Sequence, residues 1–210
     1  MKRVAPLLLL LAACSGETPP APPRNPLTLT NPRGDPESAP SSFRVRFETT
    51  KGDFVVEAVR DWAPRGVDRL WNMVKVGYFN DTPFYRVKRD FVAQFGFHSD
   101  AAVNGAWSNA FIDDDRPGKQ RNAKGMVAFG QMGMPNSRSV HIFVNYVDNG
   151  HLDRGFPPIG RVVEGMSVVE SIYAGYGEAP QQAAIERRGK AYLDELFPKM
   201  DFIERASIEG

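Results

Sequence analysis

Apolar and polar residues begin to alternate at Phe43. Phe43, Val45 and Phe47 interleave with Arg44, Arg46 and Glu48, the period-two pattern of a strand with one buried face. Thr50-Lys51-Gly52-Asp53 supplies turn chemistry, and Phe54, Val56 and Ala58 resume the alternation, so the spacing predicts a β-hairpin. Val67, Leu70, Trp71 and Val74 then recur at helical spacing behind Pro64, a residue tolerated in a first helical turn. An amphipathic helix is expected over 63–76, stopped by Gly77. Beyond it the chain reads as short apolar or β-branched runs at 84–87, 91–95, 126–129, 141–145 and 158–163, separated by glycine-rich loops. Short helices are expected over 164–172 and 181–196, and a last strand over 200–208. Many short strands with few helices indicate a mostly β domain, a closed barrel or a sandwich, and the pattern alone does not choose between them.

The first 41 residues follow neither period. Lys2 and Arg3 precede an apolar stretch from Val4 to Ala13, which is the layout of a secretory leader and too short to span a bilayer as a helix. It ends in Leu11-Ala12-Ala13-Cys14, which resembles the bacterial lipobox, where cleavage precedes a cysteine that is then lipidated. The same small residues also suit an ordinary leader cleavage. Residues 1–13 are read as a signal peptide and 14–41 as a lipid-anchored, proline-rich linker. The folded domain is placed over 42–210. Eight prolines between Pro19 and Pro40 favour an extended linker that reaches at most roughly 80 Å at ~3.1 Å per residue.

Cys14 is the single cysteine of the 210-residue chain, so an internal disulfide framework is ruled out. The formal charge is +1 overall, and loss of Lys2 and Arg3 with the leader brings it to −1. Attraction to anionic lipid then contributes little, and anchoring falls to acyl chains, of which stable attachment needs at least two. No basic stripe interleaved with aromatics marks a nucleic-acid partner. His98, His141 and His151 form no i,i+4 pair, so no metal site is expected. Asp113-Asp114-Asp115 lacks the calcium-loop spacing and reads as a solvated acidic loop. Ser137 and Ser139 near His141 lack a nucleophile elbow.

Three blocks carry a family resemblance. The first is Phe84-Tyr85-Arg86-Val87-Lys88-Arg89-Asp90-Phe91-Val92-Ala93-Gln94-Phe95-Gly96. The second is Gly125 to Phe129 followed by Pro135 to Asn145, and the third is Leu152-Asp153 followed by Phe156 to Met166. In order and spacing they resemble the cyclophilins, over roughly residues 43–175. The resemblance implies a closed eight-stranded antiparallel β-barrel capped by two helices, and peptidyl-prolyl cis-trans isomerase activity without a cofactor. It puts Arg86 at the catalytic position and Gln94 at the residue that orients it. Phe91, Val92, Phe143, Leu152 and Phe156 fall on the proline pocket, Gly130 and Gln131 on the substrate-binding loop, and His141 on a substrate-contacting position. Phe95 stands where the family has glycine, His141 where glutamine is common, and Met134 is an inserted residue. His151 takes the place of a frequent tryptophan, and Phe156 that of a pocket histidine.

The expected chemistry suits these residue types. Rotation about an X–Pro bond breaks amide resonance and leaves a lone pair on the prolyl nitrogen. An arginine aimed at that lone pair binds the twisted state better than either planar one. The expected partners are proline-containing polypeptides and a membrane reached through the lipid, with the protein a monomer in the bacterial envelope assisting folding of exported proteins. The rival expectation is a non-catalytic module or envelope scaffold that holds proline-containing segments.

Overall fold

The computed structural model describes residues 27–209; the leader, Cys14 and the linker up to residue 26 lie outside the described residues. Strands β1 (Ser42–Thr49) and β2 (Gly52–Val59) form the expected hairpin, in register from Ser42↔Val59 to Thr49↔Gly52. Gly52 turns the corner with a φ of 110°, a left-handed conformation that costs glycine little. Helix α1 (Pro64–Lys75) follows and buries Val67, Leu70, Met73 and Val74. It lies close against β8 (Pro158–Glu164): a Cβ on Gly66 would sit 2.7 Å from the Ile159 side chain.

The remaining strands are β3 (Thr82–Pro83), β4 (Arg86–Val87), β5 (Val92–Phe95), β6 (Met126–Phe129), β7 (Ile142–Asn145) and β9 (Phe202–Glu209). One antiparallel sheet joins all nine in the order β3-β9-β1-β2-β8-β6-β7-β5-β4. Its first and last members, β3 and β4, are two parts of one extended segment, residues 82–87. That segment pairs with β9 through Thr82 and Pro83 and with β5 through Arg86 and Val87. The chain itself therefore carries the curled sheet from one end to the other, and the nine short strands amount to the eight-stranded barrel expected. Phe47, Phe54, Phe79 and Phe95 fill the interior with edge-on and stacked ring contacts.

Three elements differ from the sequence expectation. Helix α2 (Ala101–Trp107) was not expected; Asp100 caps it by accepting the Ala102 N–H at 2.7 Å. Helix α3 (Met166–Ser171) matches the expected short helix, but the single helix expected over 181–196 is two, α4 (Gln182–Arg188) and α5 (Lys190–Leu196). Gly189 breaks it, because a Cβ there would lie 2.0 Å from the Ser99 carbonyl oxygen. Helices α4 and α5 cover a second apolar cluster built on Tyr85, Phe97, Ile185, Tyr192 and Leu193.

The proline-rich stretch is not a free tether along its whole length. Residues 27–41 run as a strap over α1 and α2. The Trp107 indole N–H donates to the Leu29 carbonyl at 2.7 Å, and the Ala39 N–H donates to Asp68 at 2.8 Å. Asn72 bonds both the N–H and the carbonyl of Glu37. Asp115 is not solvated as expected either. It is buried, pairs with the fully buried Arg138 at 3.0 Å, and accepts the N–H groups of Arg65 and Gly66 at 2.9 Å each. A carboxylate distant in sequence thus serves the N-terminus of α1, which has no side-chain cap of its own.

Candidate active site

Strand register assembles the site. Arg86 on β4 pairs with Gln94 on β5, Gln94 with Phe143 on β7, and Phe143 with Ala128 on β6. Neighbouring strands lie about 4.8 Å apart, so four residues distant in sequence form one row across the barrel's outer face. Alternation explains the partition. Ala93 and Phe95 of β5 and Ile142 and Val144 of β7 point into the core, whereas Val92, Gln94 and Phe143 point the other way. Phe95 therefore does not disturb the row; its ring packs among Phe47, Phe79 and Phe84. Gly96 behind it is required, since a Cβ would meet the Val140 carbonyl oxygen at 2.2 Å.

The apolar residues form one cluster. Val92, Ala128, Phe143 and Leu152 are buried together, with Phe91 and Phe156 packed on them. The Phe143 and Phe156 rings meet edge-on at 5.9 Å. The loops that bring Phe91, Leu152 and Phe156 here are tied by buried amides. Asn149 donates to the Phe91 carbonyl at 3.1 Å and to Asn145 at 2.8 Å, Asn145 donates to Asn122, and Asn122 donates to the Phe156 carbonyl at 3.0 Å. Nothing in the sequence marks these asparagines, since a lone asparagine carries no signal of what it bonds.

Arg86 stands at the edge of this cluster. Its guanidinium lies 5.2 Å from the centre of the Phe91 ring, and Nη1 donates to Gln94 Oε1 at 3.2 Å. Nε donates to Glu178 Oε1 at 2.6 Å, and Nη2 makes an ion contact with the same oxygen. Glu178 was not anticipated. It comes from the loop between α3 and α4, far from the three sequence blocks, and it borders a cleft of about 290 Å³ lined by Tyr85, Arg86, Pro180 and Gln182. Arg86 holds its carboxyl below the usual carboxylate range, with Lys88 adding to the effect.

The other expected residues border the row. Gly130 donates its N–H to the His141 carbonyl at 2.9 Å, and a Cβ on Gly130 would press on the Gln94 amide at 3.3 Å. The His141 ring packs edge-on against Phe97 at 4.6 Å, and its Nδ1 shares a hydrogen bond with the Tyr85 hydroxyl at 3.0 Å. Burial pushes its pKa down to about 4, so the ring is neutral at ordinary pH. The Gln131 side chain reaches the Gly155 carbonyl at 2.9 Å, bridging two loops beside the cluster. Among the described residues no group of His, Cys, Asp and Glu is placed to hold a metal ion.

Comparison with known proteins identifies the family and the fold. The family model described as cyclophilin type peptidyl-prolyl cis-trans isomerase/CLD matches residues 44–188. The chain belongs to the cyclophilin family. It is 29% identical to peptidyl-prolyl cis-trans isomerase B of Escherichia coli over 136 residues, 61% of this chain and 82% of that one. It is 28% identical to peptidyl-prolyl cis-trans isomerase 10 of Caenorhabditis elegans over 130 residues, 61% of this chain and 80% of that one. A cyclophilin-type isomerase of Cryptosporidium parvum shares the fold with a TM-score of 0.63 at 17% identity, covering 80% of this chain and 98% of that one. A structure of the same parasite cyclophilin was determined in the presence of the dipeptide Ala-Pro. AquaCyp293 of Hirschia baltica shares the fold with a TM-score of 0.59 at 22% identity, covering 81% and 75%. This cyclophilin's resemblance blocks and its outer-face row fall within the matched region, and β9 extends the barrel beyond it.

Proposed function

We propose that the protein accelerates X–Pro rotation in exported polypeptides, held at the cell envelope through lipid on Cys14. The observation that carries the catalytic part is the row of Arg86, Gln94 and Phe143 beside the apolar cluster. A proline ring fits the apolar floor of Val92, Phe143, Leu152 and Phe156, and its amide then lies toward Arg86. The rotation barrier is ~18–20 kcal/mol. The Nη groups of Arg86 keep N–H donors beyond those given to Gln94 and Glu178, and these meet the prolyl lone pair as resonance is lost. An acceleration of ~10⁵ needs about 7 kcal/mol. One charge-assisted hydrogen bond supplies about 1.5–3 kcal/mol. The pocket must provide the rest, by excluding the water that favours the polar planar amide and by gripping a twisted conformer.

The retained contact between Arg86 and Gln94, with Phe95 turned into the core, favours a working isomerase over a passive proline-binding module. The test is cis-to-trans exchange in a prolyl tetrapeptide, followed with increasing protein. The expected result is a rate that rises linearly with protein concentration; an unchanged rate sinks the reading. The anchor is tested separately. Wild-type protein is expected in the detergent phase on phase separation, and Cys14→Ser in the aqueous phase or as uncut precursor. Equal partitioning of the two rules out lipidation.

A further inference from the structure

We propose that Glu178 is a positioning residue for Arg86, holding the guanidinium in the orientation the isomerase reaction uses. The inference rests on the isomerase reading above. Glu178 takes the Nε side of the guanidinium, Gln94 takes Nη1, and the Phe91 ring lies under its face at 5.2 Å. Three contacts from three directions fix a planar group. Two of them, Gln94 alone with a ring contact, leave the group free to swing about its stem toward the cleft beside Tyr85. Because the carboxylate engages the Nε and Nη2 edge of the fork and Gln94 takes one donor of Nη1, one N–H on each terminal nitrogen remains for the prolyl nitrogen.

Glu178 is itself held in place. The Val87 N–H donates to the Gly177 carbonyl at 3.1 Å, so the loop is hooked onto β4 one residue away from each member of the pair. Gly177 makes this hook with a φ of 55°. On the far side, the Gln181 N–H donates to the Tyr192 hydroxyl at 3.1 Å, which fastens the loop to α5. The other oxygen of Glu178 faces Lys88 at 3.5 Å. Both Glu178 and Arg86 keep solvent exposure, 50% and 29% of their side chains. An ion pair so exposed adds little to folding stability, so its consequence is local: it sets where the arginine is before substrate arrives. A flexible arginine loses rotamer entropy when it is ordered, and prior restraint removes part of that cost from the twisted state.

The test uses the full-length protein and its Glu178→Ala and Glu178→Gln variants, with Arg86→Ala as control. Turnover and KM are measured on a prolyl tetrapeptide, together with solvent exchange of the Arg86 Nε proton by NMR. Glu178→Ala is expected to lower kcat about tenfold with KM within twofold, to speed Nε exchange, and to leave the unfolding midpoint in place. Glutamine offers the same acceptor oxygen without the charge, so Glu178→Gln is expected to recover most of the lost kcat. Activity of Glu178→Ala at or above wild type would overturn the inference, since the carboxylate would then be shielding the arginine. A parallel rise in KM also overturns it, by making Glu178 a substrate contact, and so does an equal loss in both variants. An inactive wild type, or an Arg86→Ala as active as wild type, instead fails the isomerase reading itself.

Discussion

His141 shows how one side chain's surroundings set a measurable property. It lies between Tyr85 and Phe97, and burial holds its pKa near 4, against about 6.5 in an unfolded chain. Its titration therefore does not shape activity between pH 5 and 8. Between those two pKa values the unfolded chain binds a proton that the native ring refuses, so stability falls on acidification from pH 6.5 to 4. The slope is up to about 1.4 kcal/mol per pH unit. His98, also held below its ordinary value by burial, adds in the same direction. His141→Gln is expected to flatten this slope in urea unfolding across that range; an unaltered slope contradicts the assignment. Asp115 is the other side chain with a large expected effect. Its removal takes away the buried one of the two carboxylates paired with the fully buried Arg138, leaving Asp114 at 3.3 Å, and leaves two N–H groups at the start of α1 unpaired. Asp115→Ala is expected to lose about 3 kcal/mol, the low end for a broken buried ion pair because Arg138 keeps Asp114, read from the shift in the denaturation midpoint.

Among the elements, those with a strong period were legible and those fixed by distant partners were not. The first hairpin and α1 follow from alternation at 43–58 and helical spacing at 67–74, because each buries a continuous face. Helix α2 escaped because it has seven residues and contains Gly105; the signal present was Asp100 ahead of Val103 and Trp107, four residues apart. The division of α4 from α5 was signalled by Gly189 behind Arg187 and Arg188, but the approach of Ser99 that leaves no room for a side chain there comes from a distant loop. In the site, Arg86, Gln94 and Phe143 came from sequence blocks, and strand register then put them side by side. Glu178 could not be read that way, since its partner is 92 residues away and glutamate on a loop is ordinary. The strap over 27–41 was masked by its prolines, which suit a tether and a docked extended segment equally. A chain beginning at residue 42 is expected to be about 2–4 kcal/mol less stable than one beginning at 27. It loses the Trp107 acceptor and the half-buried Leu27 and Leu29. Matching thermal midpoints for the two would show that the strap carries no weight.

Across the described residues, one face of the barrel carries the candidate site while the other layers hold it. Inward residues of β5, β6 and β7 build the core, and their outward neighbours build the site. The strap braces α1 and α2, and α4 with α5 covers Tyr85 and fastens the loop that reaches Arg86. The docked strap also takes residues 27–41 out of the linker expected over 14–41. A domain so arranged presents a rigid arginine beside an apolar pocket, and the account stands on that arginine acting through a directed hydrogen bond. The most direct measurement is kcat/KM on a prolyl tetrapeptide for Arg86→Lys, Arg86→Ala and Phe143→Ala, with circular dichroism to confirm folding. Lysine keeps the charge but loses the planar fork, so Arg86→Lys should lose most of the activity and Arg86→Ala nearly all, with peptide binding much less affected. Phe143→Ala should weaken binding and turnover together. A folded Arg86→Ala that retains more than about a third of wild-type kcat/KM, a difference under ~0.7 kcal/mol, would contradict the account.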